Sequence, residues 1–254
     1  MIKENLTGEN VSGNSISDRF EYAAPSMGTT LRIVLYSESE ASATKLIDAG
    51  LTEVERLMPI LNNYDPDTEI SRVNKKPNQE HILSKDLLAV LNHSYRWYVQ
   101  SQGAFDITCG ALFQLWRQAR KTDRFPSELD QQTAADLCGW EHVQLTEKTI
   151  RVNQEGLLLD ISGIATGYIL DQMFHAMQSL DEHPLLIDIG GDIRLGPPPP
   201  EKSGWRISVA GLSKDSPPLM ELVLKNCALT TSGDRNQYFE HQLVRYSHLI
   251  DARK

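Results

Sequence analysis

Residues 159–167 read Leu-Asp-Ile-Ser-Gly-Ile-Ala-Thr-Gly, an apolar strand-like run that passes through small residues into a helical pattern beginning near Tyr168. No other stretch constrains the chain as much. A strand feeding a glycine-bearing turn aims free backbone N–H groups, and the positive end of a helix dipole, at whatever lies above it. Phosphate is the usual guest. Asp160 adds a carboxylate at the strand end, and beside a phosphate this implies a bridging cation or a hydrogen bond to another part of the ligand. Spacing alone leaves two readings open, an anion site and an ordinary structural turn.

A chain of 254 residues, 40% hydrophobic and 23% charged, can bury a full core. It contains no apolar run long enough to span a bilayer, so no membrane span is expected. A net charge of −9, a pI near 5.3 and the lack of a Lys/Arg stripe argue against a nucleic-acid partner. Cys109, Cys138 and Cys227 are widely spaced and odd in number, which favours buried thiols over a disulfide framework or metal site. Residues 1–18 are polar and carry neither an apolar core nor a lipobox cysteine, so they are expected to be a flexible tail ahead of a folded domain over 19–254. Cytoplasmic location follows as the expectation.

From there the pattern is one continuous α+β chain. Alternation over 20–24 and 29–36 predicts paired strands joined by Pro25-Ser26-Met27-Gly28. An apolar stripe predicts a helix over 40–61, stopped by the turn cluster 62–67 with Pro66. Further helices are expected over 85–101, capped by Ser84, over 110–119, and over 127–138 with Gly139 as an αL stop. Strands over 143–145, 149–152 and 157–161 read as a meander, which places Asp160 on its last strand. A helix over 166–180 and strands over 185–194, 205–210, 220–224 and 228–232 complete the pattern, with Gly190-Gly191 read as a close-approach site or a β-bulge.

Six ordered motifs cover the chain from Ser26: SMGTTLRIVLY, NNYDPDTEISRVN, GAFDITCGALFQLW, LDISGIATGY, LIDIGGDIR, and TSGDRNQYFE with RYSHLIDARK. In order and spacing they resemble the FAD:protein FMN transferases, the ApbE-like flavin transferases. The resemblance implies an α+β fold of mixed and antiparallel sheets with packed helices, a single T-fold-like domain. It also implies a reaction in which a Thr or Ser hydroxyl of an acceptor protein attacks the FMN-side phosphorus of FAD and AMP leaves, with Mg²⁺ as cofactor. Some relatives let water attack and act as FAD pyrophosphatases. Many are exported, which makes a periplasmic location the alternative.

Residue by residue, Met27 looks like the methionine near the flavin and Tyr64 like the aromatic of the flavin pocket. Ala104, Phe105 and Asp106 match an AFD-type segment that contacts FAD. Asp160 resembles a nucleotide contact, and the Gly163 carbonyl resembles a Mg²⁺ ligand. Thr166 stands where relatives often carry lysine, so a positive charge is replaced by a hydroxyl. Asp188, Gly190 and Gly191 match the glycine-pair motif, and Ile250 and Asp251 belong to the YSHLID segment. His248 of that segment is the candidate base, since histidine titrates near neutral pH. In the family this segment is followed by a helix with a DALST-like string that completes the Mg²⁺ site. The expectation here is a domain incomplete at its C-terminus, with a catalytically impaired FAD-binding protein as the alternative.

Overall fold

The computed structural model describes residues 5–9, 17–211, 216–233 and 238–253. Parts of the expected tail and of the TSGDRNQYFE motif (234–237) lie outside the described residues. In chain order the elements are β1 Leu6–Glu9, β2 Asp18–Ser26, β3 Thr29–Ser37, α1 Glu40–Leu61, α2 Glu69–Lys75, β4 Glu80–Ile82 and α3 Lys85–Gln100. They continue with α4 Gly110–Thr122, α5 Glu128–Ala135, β5 Val143–Leu145, β6 Thr149–Val152, α6 Ser162–Gln178, β7 Leu185–Ile189 and β8 Asp192–Leu195. The last are β9 Trp205–Val209, β10 Met220–Leu224, β11 Cys227–Leu229, β12 Tyr238–His241 and β13 Val244–Ser247. Two compact units emerge, each drawn from two stretches of chain: Met1–Glu55 with Thr166–Thr231, and Arg56–Ala165 with Ser232–Lys254.

The first unit is built on a six-stranded sheet of order β1-β2-β3-β7-β8-β11, antiparallel throughout. The outermost strand corrects the tail expectation for four residues, because Leu6–Glu9 pairs with β2. Alternation along β3 sends Ile33 and Leu35 to one face, with Leu185 and Ile187 opposite them, all fully buried. The other face carries Val34, Leu186 and Leu195, which pack with Trp205, Ile207 and Leu224 of the β9–β10 hairpin. Each such side chain contributes about 1.5–3 kcal/mol of gross burial free energy. Trp205 satisfies its indole N–H on the Pro197 carbonyl at 2.9 Å, so its burial leaves no orphaned donor there.

His183, in the loop before β7, is 5% exposed. Its Nδ1 meets the Asp181 carbonyl at 2.7 Å, and its Nε2 is buried without a partner. Burial holds the imidazole below its ordinary value of 6.5, opposed only in part by Asp181. The unfolded chain therefore takes up this proton before the folded one does. Stability from this site is expected to be flat above about pH 7 and to fall as pH drops below the unfolded value. Urea midpoints at about pH 7.5 and 5.5 check this, with His183→Gln expected to narrow the difference.

The second unit contains α2 to α5, the three-stranded sheet β4-β6-β5 and the β12–β13 hairpin. Ser84 caps α3 by accepting from Leu87 N–H at 3.2 Å, as its sequence position implies. Ser127 and Asp130 form a reciprocal capping box on α5. That helix ends at Ala135 rather than at Gly139, whose φ of 139° is not a helix-closing αL value. Trp116 and Phe125 meet Phe239, His241 and Tyr246 in an aromatic cluster that ties the β12–β13 hairpin to the α4 region. His241 stacks on Phe125 with centroids 4.3 Å apart and is a packing group. Among the described residues no helix is long and apolar enough to cross a membrane.

Candidate functional site

The segment 157–161 is not the third strand of a meander. The free edge of β6 is taken by β4, and residues 157–161 run instead beside residues 107–110. Asp160 N–H donates to the Ile107 carbonyl at 2.7 Å and Gly110 N–H to the Leu158 carbonyl at 3.0 Å. The opposite side is closed by side chains. Asn74 accepts from Leu159 N–H at 2.8 Å and donates to the Leu159 carbonyl at 2.9 Å. Asn63 donates to the same carbonyl at 2.8 Å and accepts from Ile161 N–H at 3.1 Å.

Helix α6 begins at Ser162, four residues before the expected start. The Ser-Gly-Ile-Ala-Thr-Gly string is therefore its first turns and not a loop. Asp160 is the reason: its Oδ1 accepts from Ser162 N–H at 3.0 Å and from the Ser162 hydroxyl at 2.5 Å, which suits a carboxylate at the positive end of a helix. Its Oδ2 accepts from Arg117 at 2.6 Å. The side chain is 6% exposed and that of Arg117 35%. Both carboxylate oxygens thus already have partners within the chain. Arg117 in turn lies 5.3 Å from the ring centroid of Tyr64, which is 71% exposed. Tyr64, Arg117 and Asp160 form one connected line, and a Cβ on Gly163 would touch the Phe105 ring at 3.5 Å. Thr166, half-buried one turn further along α6, falls in the first compact unit.

Ala104 and Phe105 wind onto the end of α3 through Ser101, whose carbonyl accepts from Ala104 N–H and whose hydroxyl accepts from Phe105 N–H. Asp106 is 9% exposed and accepts from both the N–H and the hydroxyl of Thr108, at 2.8 and 2.7 Å. Burial raises its carboxyl above the usual range, and the Thr108 hydrogen bonds pull in the opposite direction. Thr108 then accepts from Gly139 N–H at 2.7 Å, which links this turn to the end of the α5 region. After β13, His248, Ile250 and Asp251 are each partly exposed. Asp251 is gripped by Arg253 at 2.9 and 2.8 Å, and the Arg253 stem lies 3.7 Å from a Cβ placed on Gly103, beside the AFD segment.

In the first unit, two tight turns sit side by side at one end of the sheet. Met27-Gly28 joins β2 to β3 and Gly190-Gly191 joins β7 to β8, with all four residues at positive φ. The glycine pair is a hairpin turn and not a bulge. Asp188 Oδ1 accepts from Gly191 N–H at 2.9 Å and closes it. Gly190 N–H donates to the Thr30 carbonyl, and a Cβ there would come within 2.8 Å of the Thr29 hydroxyl. Met27 holds φ at 50° with a full side chain, a conformation that costs a non-glycine residue about 1–2 kcal/mol. Met27→Asn installs the Asn-Gly pair this turn geometry prefers and is expected to raise stability by about 0.5–1 kcal/mol, read as a higher thermal midpoint.

Among the described residues no three His, Cys, Asp or Glu side chains gather as a metal group. Sequence reasoning missed Asn63, Asn74, Arg117 and Thr108; the two asparagines lie inside a quoted motif, whereas Arg117 has no spacing signal at all. The ApbE family profile matches residues 27–254, and the chain belongs to this family of flavin-transferring enzymes. The FAD:protein FMN transferase of Vibrio cholerae is 30% identical over 243 residues, covering 92% of this chain and 72% of the relative. That of Haemophilus influenzae is 27% identical, with 89% and 69% covered. The solved flavin transferase ApbE of Vibrio cholerae matches with a TM-score of 0.83 at 27% identity over 93% of this chain and 77% of its own. The ApbE protein of Thermotoga maritima matches equally well, at 0.83 and 27% over 92% and 77%. The α+β architecture of antiparallel sheets and packed helices agrees with the expectation.

Proposed function

We propose that this protein transfers FMN from FAD to a Thr or Ser hydroxyl of an acceptor protein and releases AMP, in a Mg²⁺-dependent reaction. What supports this reading is the match to FAD:protein FMN transferases along nearly the whole chain. Tyr64, with an exposed ring backed by Arg117, suits stacking on an isoalloxazine. His248 is assigned the hydroxyl proton, the acceptor oxygen forms the new bond to the FMN-side phosphorus, and the pyrophosphate bond to AMP breaks. Met27, Ala104, Phe105, Asp106, Asp160, Thr166, Asp188, Gly190, Gly191, Ile250 and Asp251 are assigned to FAD contact through the resemblance.

Mg²⁺ belongs to the proposal through the resemblance. The described donors around Gly163 do not compose an octahedral oxygen shell, because Asp160 is already engaged by Ser162 and Arg117. Incubating the chain with FAD, Mg²⁺ and a Thr-containing acceptor peptide tests the reading. Flavinylated peptide and AMP are expected together. Free FMN with AMP would identify a pyrophosphatase, and bound FAD with neither product would identify a flavin-binding protein without transferase activity.

A further inference from the structure

We infer that Asn63 and Asn74 are positioning residues for the FAD-binding segment, two side-chain amides standing in for the neighbouring strand that residues 158–161 lack. A carboxamide carries a donor and an acceptor at one end, as a peptide unit does. Asn74 exchanges both of its bonds with one residue, Leu159, the pattern of a hydrogen-bonded antiparallel pair. Asn63 bridges the Leu159 carbonyl and the Ile161 N–H, the pattern of a parallel neighbour that straddles one residue. The straddled residue is Asp160. Its own N–H is held from the other side by Ile107, and its carboxylate starts α6. The two amides therefore set the height and direction of the chain at the point where Asp160, Ser162 and Gly163 are presented.

The inference rests on the FAD reading, and its physical content is a population. Without the amides, Leu159 N–H, Ile161 N–H and the Leu159 carbonyl lose partners in a half-buried setting, so the segment opens locally. Apparent FAD affinity then falls in proportion to the closed fraction. Both asparagines serve one carbonyl, so their losses are coupled: either single variant leaves that oxygen one donor, and the double variant leaves it none.

The test uses the full chain with Asn63→Ala, Asn74→Ala and the double variant, each held well below its own melting temperature. FAD affinity is read by flavin fluorescence quenching, and local opening by hydrogen exchange of peptides covering residues 157–165. Peptides from the β4-β6-β5 sheet serve as the internal reference. Each single variant is expected to bind FAD about tenfold more weakly, the double variant by more than the product of the two, with faster exchange confined to 157–165. A purely structural role predicts lower melting temperatures with unchanged affinity while folded. Affinities within twofold of the parent, or exchange raised uniformly across the unit, overturn the inference. If the parent chain itself fails to quench FAD, the FAD reading falls and so does the assigned purpose. Selective exchange at 157–165 in the variants would still establish the clamp.

Discussion

Gly110→Ala is expected to destabilise the protein by roughly 2–4 kcal/mol. A Cβ at Gly110 would stand 2.4 Å from the Leu158 carbonyl oxygen and 2.8 Å from the Leu158 Cβ. The first of these is backbone and cannot rotate away. Relief requires the start of α4 to move off residues 158–161, which breaks the Gly110 N–H bond to Leu158 and loosens the neighbouring Asp160–Ile107 bond. Gly167→Ala is the control, because a Cβ there has nothing within 4 Å and the residue lies within α6. It is expected to gain about 0.5–1 kcal/mol. Urea denaturation of both variants reads the contrast. A neutral Gly110→Ala would show that residues 110 and 158 are not in contact.

Asp160→Ala is the second large effect, at roughly 2–3 kcal/mol. It removes the acceptor for both the N–H and the hydroxyl of Ser162, and it removes the partner of Arg117. The ion-pair share is the smaller one, since Arg117 is 35% exposed and regains water when released. Asp160→Asn keeps an acceptor for Ser162 and is expected to cost about half as much. Thermal midpoints should drop by about 2–4 °C for each kcal/mol. Equal losses in the two variants would locate the whole effect in the ion pair and none in the helix cap.

These two positions also show where the sequence was readable. The β2–β3 hairpin, α1 and α3 follow from alternation, from an apolar stripe and from Ser84, because each element satisfies its own backbone or that of a chain neighbour. Helix α2 escaped because Ile70 and Val73 are too few to show a period after the turn cluster that precedes them. Strand β4 has only three residues. The 157–161 run is apolar and extended, as expected, but its partners are asparagine side chains from distant positions, and no periodicity encodes those. The early start of α6 has a similar cause. Ser, Gly and Thr read as turn residues until Asp160 is known to cap them. Tyr64, Asp106 and Asp160 stand out in the sequence through their motifs, while Arg117, which joins Tyr64 to Asp160, depends on a fold that brings α4 across residue 160.

The interleaving of the two units bears on how the chain is made. Strand β3 leaves the ribosome early, with one edge already taken by β2 and the other waiting for β7, which emerges only after α1 through α6. The second unit likewise acquires Phe239 and Tyr246, which complete its aromatic cluster, only after the whole second stretch of the first unit has been made. Neither unit can close cotranslationally in order. Folding dominated by such distant pairings is slow, and the unpaired backbone edge of β3 is open to pairing with another chain while it waits for β7.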